Sequence, residues 1–247
     1  MQTFLINLDR TPDRLAKFER TNPHLKNVTR FPAIDGRAIS REKLVGQNIF
    51  DADVNYSPGA IGCALSHFRL WNMVMTDRQP ATIMEDDAIL HHDFETLAPA
   101  VTAGLPADWD ILVWGWNLDS IMLYDLFPGI GVSLMQSNAE SIRKSWPDFQ
   151  GNPIHPAAHR LTACFGTVCY SISPAGAEKL TSRLVPVRNF VLPLPQMKRS
   201  INNTGIDIML ISQYSRINAF VSMPPLALTL NDIAVSVVQD IAYMAPV

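Results

Sequence analysis

The sequence predicts an α/β fold with a mostly parallel central sheet that is flanked by helices. Short apolar segments of strand length alternate with segments of helical periodicity, which is the pattern of strand–helix–strand units. The strand segments are apolar throughout, as expected of strands that are buried on both faces. The 247 residues contain no repeat, linker or low-complexity block. We therefore predict one domain over residues 1–247, in two halves at about 1–117 and 118–247.

The first two strands and the first helix are predicted near the start of the chain. Residues 3–8 form a short apolar strand, and Thr11-Pro12-Asp13-Arg14 then provides an N-cap, a proline at the first helical position and an early acid. Residues 31–36 indicate a second strand that ends in an Asp-Gly turn. Residues 37–58 are mostly polar, so we predict an irregular segment there.

An amphipathic helix and two buried strands are predicted next. Between Pro58 and Met75 the apolar residues recur at steps of three and four, which is typical of a helix with one buried face. Residues 81–84 and 110–116 are short apolar runs and are predicted as strands. Residues 117–162 show no sustained period, so we predict a long connection with one short helix.

The last part of the chain is predicted to add a strand and two helices. Residues 167–172 indicate a strand, and Ser173 followed by proline begins a helix that runs to about Arg183. Asp207 begins an apolar-rich helix that runs to about Tyr214. The remaining tail holds strand-like apolar stretches.

Composition excludes some classes of protein. A net charge of −3 and a pI near 6.0 give no basic field, so we do not expect a nucleic-acid partner. The cysteines, Cys63, Cys164 and Cys169, are odd in number and lack the spacing typical of zinc sites, which favours free thiols in a reducing compartment and a cytoplasmic location. The N-terminus lacks the features of a signal peptide.

A membrane span is not predicted, because no stretch reaches the ~18 apolar residues that a span needs. The apolar segment 184–197 has four basic residues in it or beside it, namely Arg183, Arg188, Lys198 and Arg199. This segment leaves room for peripheral contact with an anionic membrane, at its inner face.

The strongest chemical signal is Glu85-Asp86-Asp87, directly after the predicted strand 81–84. Three adjacent carboxylates repel one another unless a cation lies on them. A divalent metal bound to a diphosphate removes the conflict, and hard oxygen ligands suit Mg²⁺ or Mn²⁺. The alternative is an acidic loop that caps a following helix.

The chain resembles glycosyltransferase family 25, the lipopolysaccharide and collagen galactosyltransferase-type enzymes. Short matching blocks run in the family's order over most of the chain. The blocks are Ile6–Arg10 with Asp13-Arg14, Ala33–Gly36, Gly59–His67 with Trp71, Met84–Asp87, Gly166-Thr167, Tyr170–Ser173, Gly176–Leu180 and Ile206-Asp207. Two departures are Ala60, where the family often has Glu, and Asp9-Arg10-Thr11, which replaces a more basic run.

The resemblance implies a GT-A-like (Rossmann-like) fold, a nucleotide-sugar donor, commonly UDP-galactose, and inversion at the anomeric carbon. Residues 1–117 would hold the donor, and residues 118–247 would hold a glycan or glycolipid acceptor, as in lipopolysaccharide biosynthesis. The acids resemble the DxD-type motif. Asp87 and Glu85 would contact Mn²⁺ or Mg²⁺, and Glu85 and Asp86 would contact the donor.

Further donor contacts are predicted where the first two strands end. Asn7, Asp9, Arg10 and Arg14 could bind a uracil edge, ribose hydroxyls or phosphate, and the planar fork of Arg10 suits a diphosphate. Asp35-Gly36 follows the second strand. The alternative for the first group is a capped helix with solvent-exposed arginines. The alternative for Asp35-Gly36 is a tight turn without a binding role.

His67 is predicted to be a buried, hydrogen-bonded histidine that shapes the donor pocket. Its neighbour Ser66 suggests a nucleophile–base pair, but adjacent helical side chains diverge by ~100° and do not face each other. We therefore exclude hydrolase chemistry at this pair.

An inverting transfer needs a base that takes the proton of the acceptor hydroxyl. The first candidate is Asp207, at the start of an apolar helix, although it could be only a helix N-cap. The second is Asp119, near Trp116, which could stack on a sugar. The alternative for Trp114 and Trp116 is that both are core residues.

Two other functions remain open from the sequence. A metal-dependent nucleotidyl- or phosphotransferase could use the same acids, and a non-catalytic relative could bind a sugar nucleotide or a partner protein.

Overall fold

The structure is a computed structural model that describes residues 1–118 and 120–230. Asp119, the second candidate base, lies outside the described residues, as does the tail from residue 231. The described helices are α1 Pro12–Thr21, α2 Arg41–Gly46, α3 Pro58–Asp77, α4 Phe94–Ala103, α5 Ala139–Gly151, α6 Pro174–Leu184 and α7 Ile206–Tyr214, with 3₁₀ turns at Gly36–Ala38 and Pro195–Met197.

Strands account for most of the remaining regular structure. They are β1 Gln2–Asn7, β2 Val28–Pro32, β3 Ala81–Glu85, β4 Ile89–Leu90, β5 Ile111–Gly115, β6 Ile121–Phe127, β7 Gly131–Gln136, β8 Ala157–Cys164, β9 Cys169–Ile172, β10 Val191–Leu194, β11 Arg199–Asn202, β12 Ala219–Met223 and β13 Ala227–Leu228.

The central sheet has nine described strands in the order β2-β1-β3-β9-β5-β12-β8-β6-β7. Strands β2, β1 and β3 are parallel, and so are β5 and β12. Strand β9 is antiparallel to both of its neighbours, β3 and β5, and β8 and β7 are also reversed. Six strands thus share one direction, which confirms the predicted α/β class with a mostly parallel central sheet.

Helices cover both faces of the sheet because successive strand side chains point to opposite sides. On β1, Phe4 and Ile6 pack in the cluster that contains residues of α3, α6 and α7. Leu5 packs on the other face with Phe18 of α1 and Phe94 of α4. The sheet therefore separates two apolar cores.

Helix starts follow local capping chemistry. The Ser57 and Ser173 hydroxyls accept hydrogen bonds from Ala60 N and Gly176 N, and a proline follows each serine. Helix α1 also begins at a proline, but Thr11 makes no side-chain cap and instead bonds Leu8 O.

Three segments differ from the sequence predictions. The second strand, predicted over residues 31–36, is β2 Val28–Pro32, and Gly36 begins a 3₁₀ turn instead of ending the strand. Residues 37–58, predicted to be irregular, contain the short helix α2, which Ser40 caps. Residues 117–162, predicted to be a long connection, contain β6, β7 and most of β8 as well as α5. The prediction failed because β8 pairs with the distant β12, a contact that no local pattern shows.

Exposed large apolar side chains gather mainly on the hairpin of β6 and β7. They are Leu126, Phe127, Ile130, Val132 and Leu134, which we call the apolar hairpin. In the segment 184–197, by contrast, Leu184, Val187 and Leu194 are buried and Val191 is exposed. None of the described helices is both long and apolar enough to cross a membrane. Peripheral membrane contact stays a prediction.

Candidate functional site

A cleft of about 310 Å³ opens where β1, β2 and β3 end. Glu85, the last residue of β3, is in register with Ile6, and Asn7 is in register with Pro32 at the end of β2. The chain leaves β1 for β2 on one side and later returns to β3 on the other side. Such a switch point at the carboxyl ends of strands leaves a crevice where α/β proteins bind ligands.

Charged side chains in the cleft are mainly acidic. Five acidic and three basic residues line it: Asp13, Asp35, Glu85, Asp86 and Asp87, with Arg10, Arg14 and Lys17. Apolar side chains, among them Ile6, Ala33, Ile34 and Trp146, form other parts of the wall. The cleft combines an apolar wall with an excess of negative charge.

Asp86 is bound by protein groups on both of its oxygens. Asn7, which is buried at the end of β1, donates from Nδ2 to Asp86 Oδ2 at 2.7 Å. Arg14 donates from Nε to Oδ1 at 2.8 Å, and its second nitrogen contacts the same oxygen. Arg30 in turn holds Asn7 Oδ1 at 3.0 Å. Asp86 therefore positions the cleft wall and has little capacity left for a ligand.

Glu85 contacts two other parts of the chain. Thr167, in the loop before β9, donates its hydroxyl to Glu85 Oε1. His67 Nε2 lies 3.6 Å from the same oxygen, which is too long for a hydrogen bond. Burial alone would raise the pKa of Glu85, but His67, Thr167 and Arg14 together lower it below its usual value. Glu85 is therefore an ionised carboxylate at neutral pH.

Asp87 is the least compensated of the three acids. Its side chain reaches the solvent of the cleft, yet the protein packed around it raises its pKa, first by desolvation and then through the negative charge of Glu85. Arg14 and the Thr229 hydroxyl oppose this rise, and the resulting pKa is about 6. A cation placed near Asp87 and Glu85 would therefore be stabilised.

The loop after β2 forms another wall. Asp35 accepts a hydrogen bond of 2.7 Å from Arg10 Nε and another from the backbone N–H of Arg37. Both lower the pKa of Asp35, and the Arg37 N–H has the larger effect. Gly36 packs directly on the start of α3, because a Cβ there would lie 1.9 Å from Pro58 O. Asp9 is exposed, pairs with Arg30 and does not line the cleft. Among the predicted donor-binding residues, Asp9 is thus the one that lies outside it.

One face of α3 also lines the cleft. Gly59, Gly62, Cys63, Ser66 and His67 recur at three- and four-residue steps and are small or polar. Ser66 donates to Gly62 O and accepts from Ile34 N, so it joins the loop after β2 to the helix. His67 is fully buried and hydrogen-bonded, as predicted.

Sequence reasoning did not assign a role to Cys63 or Thr167. The small and polar residues on one face of α3 could have indicated that Cys63 lines the cleft. For Thr167 the sequence offered only the matching block Gly166-Thr167, because its partner Glu85 is remote in sequence. Gly166, just before it, has φ +84° and lies against the Asn117 side chain, which explains the glycine.

Asp207 lies in the first turn of α7 and outside the residues that line the cleft. Its carboxylate accepts a hydrogen bond from Ile208 N at 2.9 Å and another from the Gly166 backbone. Burial raises its pKa above the usual value, and the nearby Glu85 adds to the rise. The alternative reading as an N-cap is wrong, because Gly205 holds that position.

The suggested stacking of Trp116 on a sugar is also wrong, since its side chain is fully buried in the core. Trp116 directly follows β5, whose five residues are all buried, so the chain is still inside the core at this point.

Comparisons with known proteins give a family match. Residues 1–194 match the sequence profile described as glycosyltransferase family 25, LPS biosynthesis protein. A glycosyltransferase 25 family member of Anopheles gambiae is 30% identical over 129 residues, which are 45% of this chain and 21% of that protein. Procollagen galactosyltransferase 2 of Mus musculus is 28% identical over 127 residues, 46% of this chain and 20% of that protein. The matched region spans about a fifth of these relatives' length.

Two solved structures show weak similarity. A197 from STIV aligns with a TM-score of 0.36 and 12% identity, covering 90% of this chain and 81% of that chain. Galactosyltransferase LgtC in complex with donor and acceptor sugar analogs aligns with a TM-score of 0.33 and 11% identity, covering 74% and 63%. Neither TM-score is high enough to inform the function.

Proposed function

Because the chain belongs to glycosyltransferase family 25, we propose that it transfers a sugar from a UDP-sugar to a glycan or glycolipid acceptor. The proposed sugar is galactose, transferred with inversion, and the proposed setting is lipopolysaccharide biosynthesis at the cytoplasmic face of a membrane. A relative at 28% identity is named a procollagen galactosyltransferase, which supports a galactose donor.

The observation that carries the proposal is the excess of acids in a cleft at the ends of three parallel strands. A diphosphate would be repelled by this cleft unless a cation came with it. Glu85 and Asp87 offer hard carboxylate oxygens, the ligands that Mn²⁺ and Mg²⁺ prefer. These two residues would hold the metal, which would offset the charge of the departing diphosphate.

Three cations that also line the cleft support a diphosphate beside the acids. Arg14 and Lys17 lie on one face of α1, and Arg10 precedes this helix. Arg10 uses Nε for Asp35, so Asp35 orients its guanidinium. The apolar wall near Ile34 and Trp146 suits the flat face of a nucleobase.

Asp207 remains the proposed base. The N–H groups of Ile208 and Gly166 hold its carboxylate in place, and its raised pKa increases its capacity to accept a proton. The negative charge of Glu85 adds to this rise of the Asp207 pKa.

The variant Asp87→Asn tests the metal assignment. We expect a loss of about 100-fold or more in manganese-dependent sugar transfer, because the carboxylate that receives the cation is gone. The matched control is Asp13→Asn, which removes another exposed acid from the same cleft. Full activity of Asp87→Asn, measured as UDP release with folding checked by circular dichroism, would contradict the assignment.

Product analysis separates the proposed reaction from the alternatives. Free UDP with a new glycoside supports sugar transfer, whereas release of pyrophosphate supports a nucleotidyltransferase. A non-catalytic relative would bind UDP in calorimetry, with manganese present, and would release no product from any donor. A panel of UDP-sugars, assayed for hydrolysis with manganese, would identify the donor.

A further inference from the structure

A second cluster of metal-ligating groups lies on the floor of the cleft, beside the Glu85–Asp87 pair. Cys63 and His67 are one turn apart on α3, and both face the last residue of β3, Glu85. One ligand atom from each, the Cys63 sulfur, a His67 ring nitrogen and a Glu85 carboxylate oxygen, lies within 4.8 Å of the other two. All three residues line the cleft, so an ion can reach the cluster from solvent.

His67 provides an independent indication of a ligand. Its side chain is fully buried, and Nε2 has no hydrogen-bond partner among the described residues. Buried polar atoms without a partner are rare in folded proteins and call for an explanation. The carboxylate of Glu85, at 3.6 Å, is too distant to provide the missing bond.

The other nitrogen of His67 is held in the manner typical of metal-binding histidines. Nδ1 lies 2.7 Å from the Tyr170 hydroxyl, which also accepts a hydrogen bond of 2.8 Å from Trp71 Nε1. When Nδ1 carries the proton and donates to Tyr170, the lone pair of Nε2 is directed at the cluster. A protein partner on the second nitrogen fixes the ring of a ligating histidine, and a hydroxyl, which can accept as well as donate, is compatible with the tautomer that a metal requires.

The ligand types select the class of ion. A thiolate, an imidazole and one carboxylate are the ligands of zinc, whereas Mn²⁺ and Mg²⁺ prefer all-oxygen sites. We propose that Cys63, His67 and Glu85 form a binding site for a thiophilic divalent ion of the zinc class. The three protein ligands leave a fourth position open toward the cleft.

The geometry requires only a small adjustment. Bond lengths of about 2.0–2.3 Å place the ligand atoms of a tetrahedral zinc site about 3.5 Å apart. The observed separations, up to 4.8 Å, exceed this by about an ångström. Rotation of the Cys63 and Glu85 side chains can close this gap, while His67 stays fixed by Tyr170.

Shared use of Glu85 has a functional consequence, which rests on the proposed function. A zinc ion that takes Glu85 removes it from the pair with Asp87 and adds positive charge next to the manganese position. Zinc is therefore expected to inhibit sugar transfer at concentrations that fill the Cys63 site. Zinc binding itself does not depend on the protein being a transferase.

The direct test uses the metal-free protein and cobalt, a spectroscopic substitute for zinc. We expect one Co²⁺ per chain, with a thiolate-to-cobalt charge-transfer band in the near ultraviolet that zinc abolishes by displacement. Cys63→Ser should lose the band and bind zinc at least about tenfold more weakly in competition with a chromophoric indicator.

Matched variants locate the site. Cys164→Ala and Cys169→Ala each remove a buried cysteine outside the cluster and should keep the band. Asp87→Asn should also keep it, although this variant loses the proposed manganese site. Absence of the band in the wild-type protein, or its persistence in Cys63→Ser, would overturn the proposal. Zinc binding without any sugar transfer would instead refute only the proposed function.

Discussion

Glu85, Asp86 and Asp87 are adjacent in sequence but have different partners. Asp86 is tied to Asn7 and Arg14, Glu85 meets Thr167 and His67, and Asp87 keeps a raised pKa of about 6. The acid that looks like the centre of the motif is therefore a positioning group. The outer two acids are those that can receive a cation.

Arg14→Lys tests the positioning role of Asp86. Arg14 uses two nitrogens on one carboxylate oxygen, and a lysine can reproduce only one of these contacts. We expect a loss of about 1 kcal/mol in the free energy of unfolding, measured with urea. Arg10→Lys is the control, since its pair with Asp35 is more exposed and should change stability by less than about 0.5 kcal/mol. Equal effects of the two variants would contradict this difference.

The raised pKa of Asp87 gives a pH-dependent prediction for the metal-free protein. Between the usual value of 3.8 and about 6, the folded state binds more protons at Asp87 than the unfolded state does. Stability from this residue therefore falls as pH rises through that window. The free energy of unfolding of Asp87→Asn should rise relative to that of the wild type from about pH 4 to pH 6. Above about pH 6 the difference between the two proteins should stay constant. Thermal unfolding in a chelator measures this, and a relative gain by the wild type would refute it.

Sequence alone could identify residues whose signal is local. Asn7, Asp35 and the three acids follow apolar strands, so their common edge could be predicted from the strand directions. The partners that divide the acids into roles could not, because Thr167 and His67 reach Glu85 only through the fold. The exposed position of Asp9 also depends on its pairing with Arg30.

At the scale of elements, α3 is the part that the sequence predicted best, since the apolar period between Pro58 and Met75 matches the helix Pro58–Asp77. It carries two different faces: one packs into the core, and the other lines the cleft with small and polar side chains. Strand β7 was missed because it lies at the edge of the sheet, where half-exposed residues follow no clean pattern. Strand β6 lies between β7 and β8, and its pairing with the distant β8 is a contact that no local pattern shows.

The close contact between Gly36 and the start of α3 predicts a large effect of one added methyl group. In Gly36→Ala the Cβ would overlap Pro58 O and Gly62 N, which are backbone atoms and cannot move independently. We expect a loss of about 1–3 kcal/mol or more in the free energy of unfolding, with weaker UDP binding. The control Gly46→Ala meets no atom within 4 Å and should gain about 0.5 kcal/mol. Similar denaturation midpoints for both variants would contradict the packing.

At the scale of the whole molecule, the apolar hairpin is the surface best suited to the predicted membrane contact. Phe127 and Ile130 are 58% and 83% exposed near its turn, whereas Leu184, Val187 and Leu194 of the segment 184–197 are buried. We expect the protein to co-sediment with anionic lipid vesicles at low salt, and Phe127→Ser with Ile130→Ser to abolish this. Val191→Ser is the control at the other exposed site, and an unchanged double variant would exclude the hairpin.

Strand β9 connects the two halves of the chain, since it lies between β3 and β5 and brings Thr167 to Glu85. On the ribosome, β3 emerges long before β9, so a nascent sheet of β2, β1 and β3 carries an unpaired edge until residues 169–172 have been made. Such an edge is a template for wrong pairing with other chains. We therefore expect translation products that stop near residue 117 to aggregate rather than to bind nucleotide, and full-length synthesis to benefit from chaperones that shield β3.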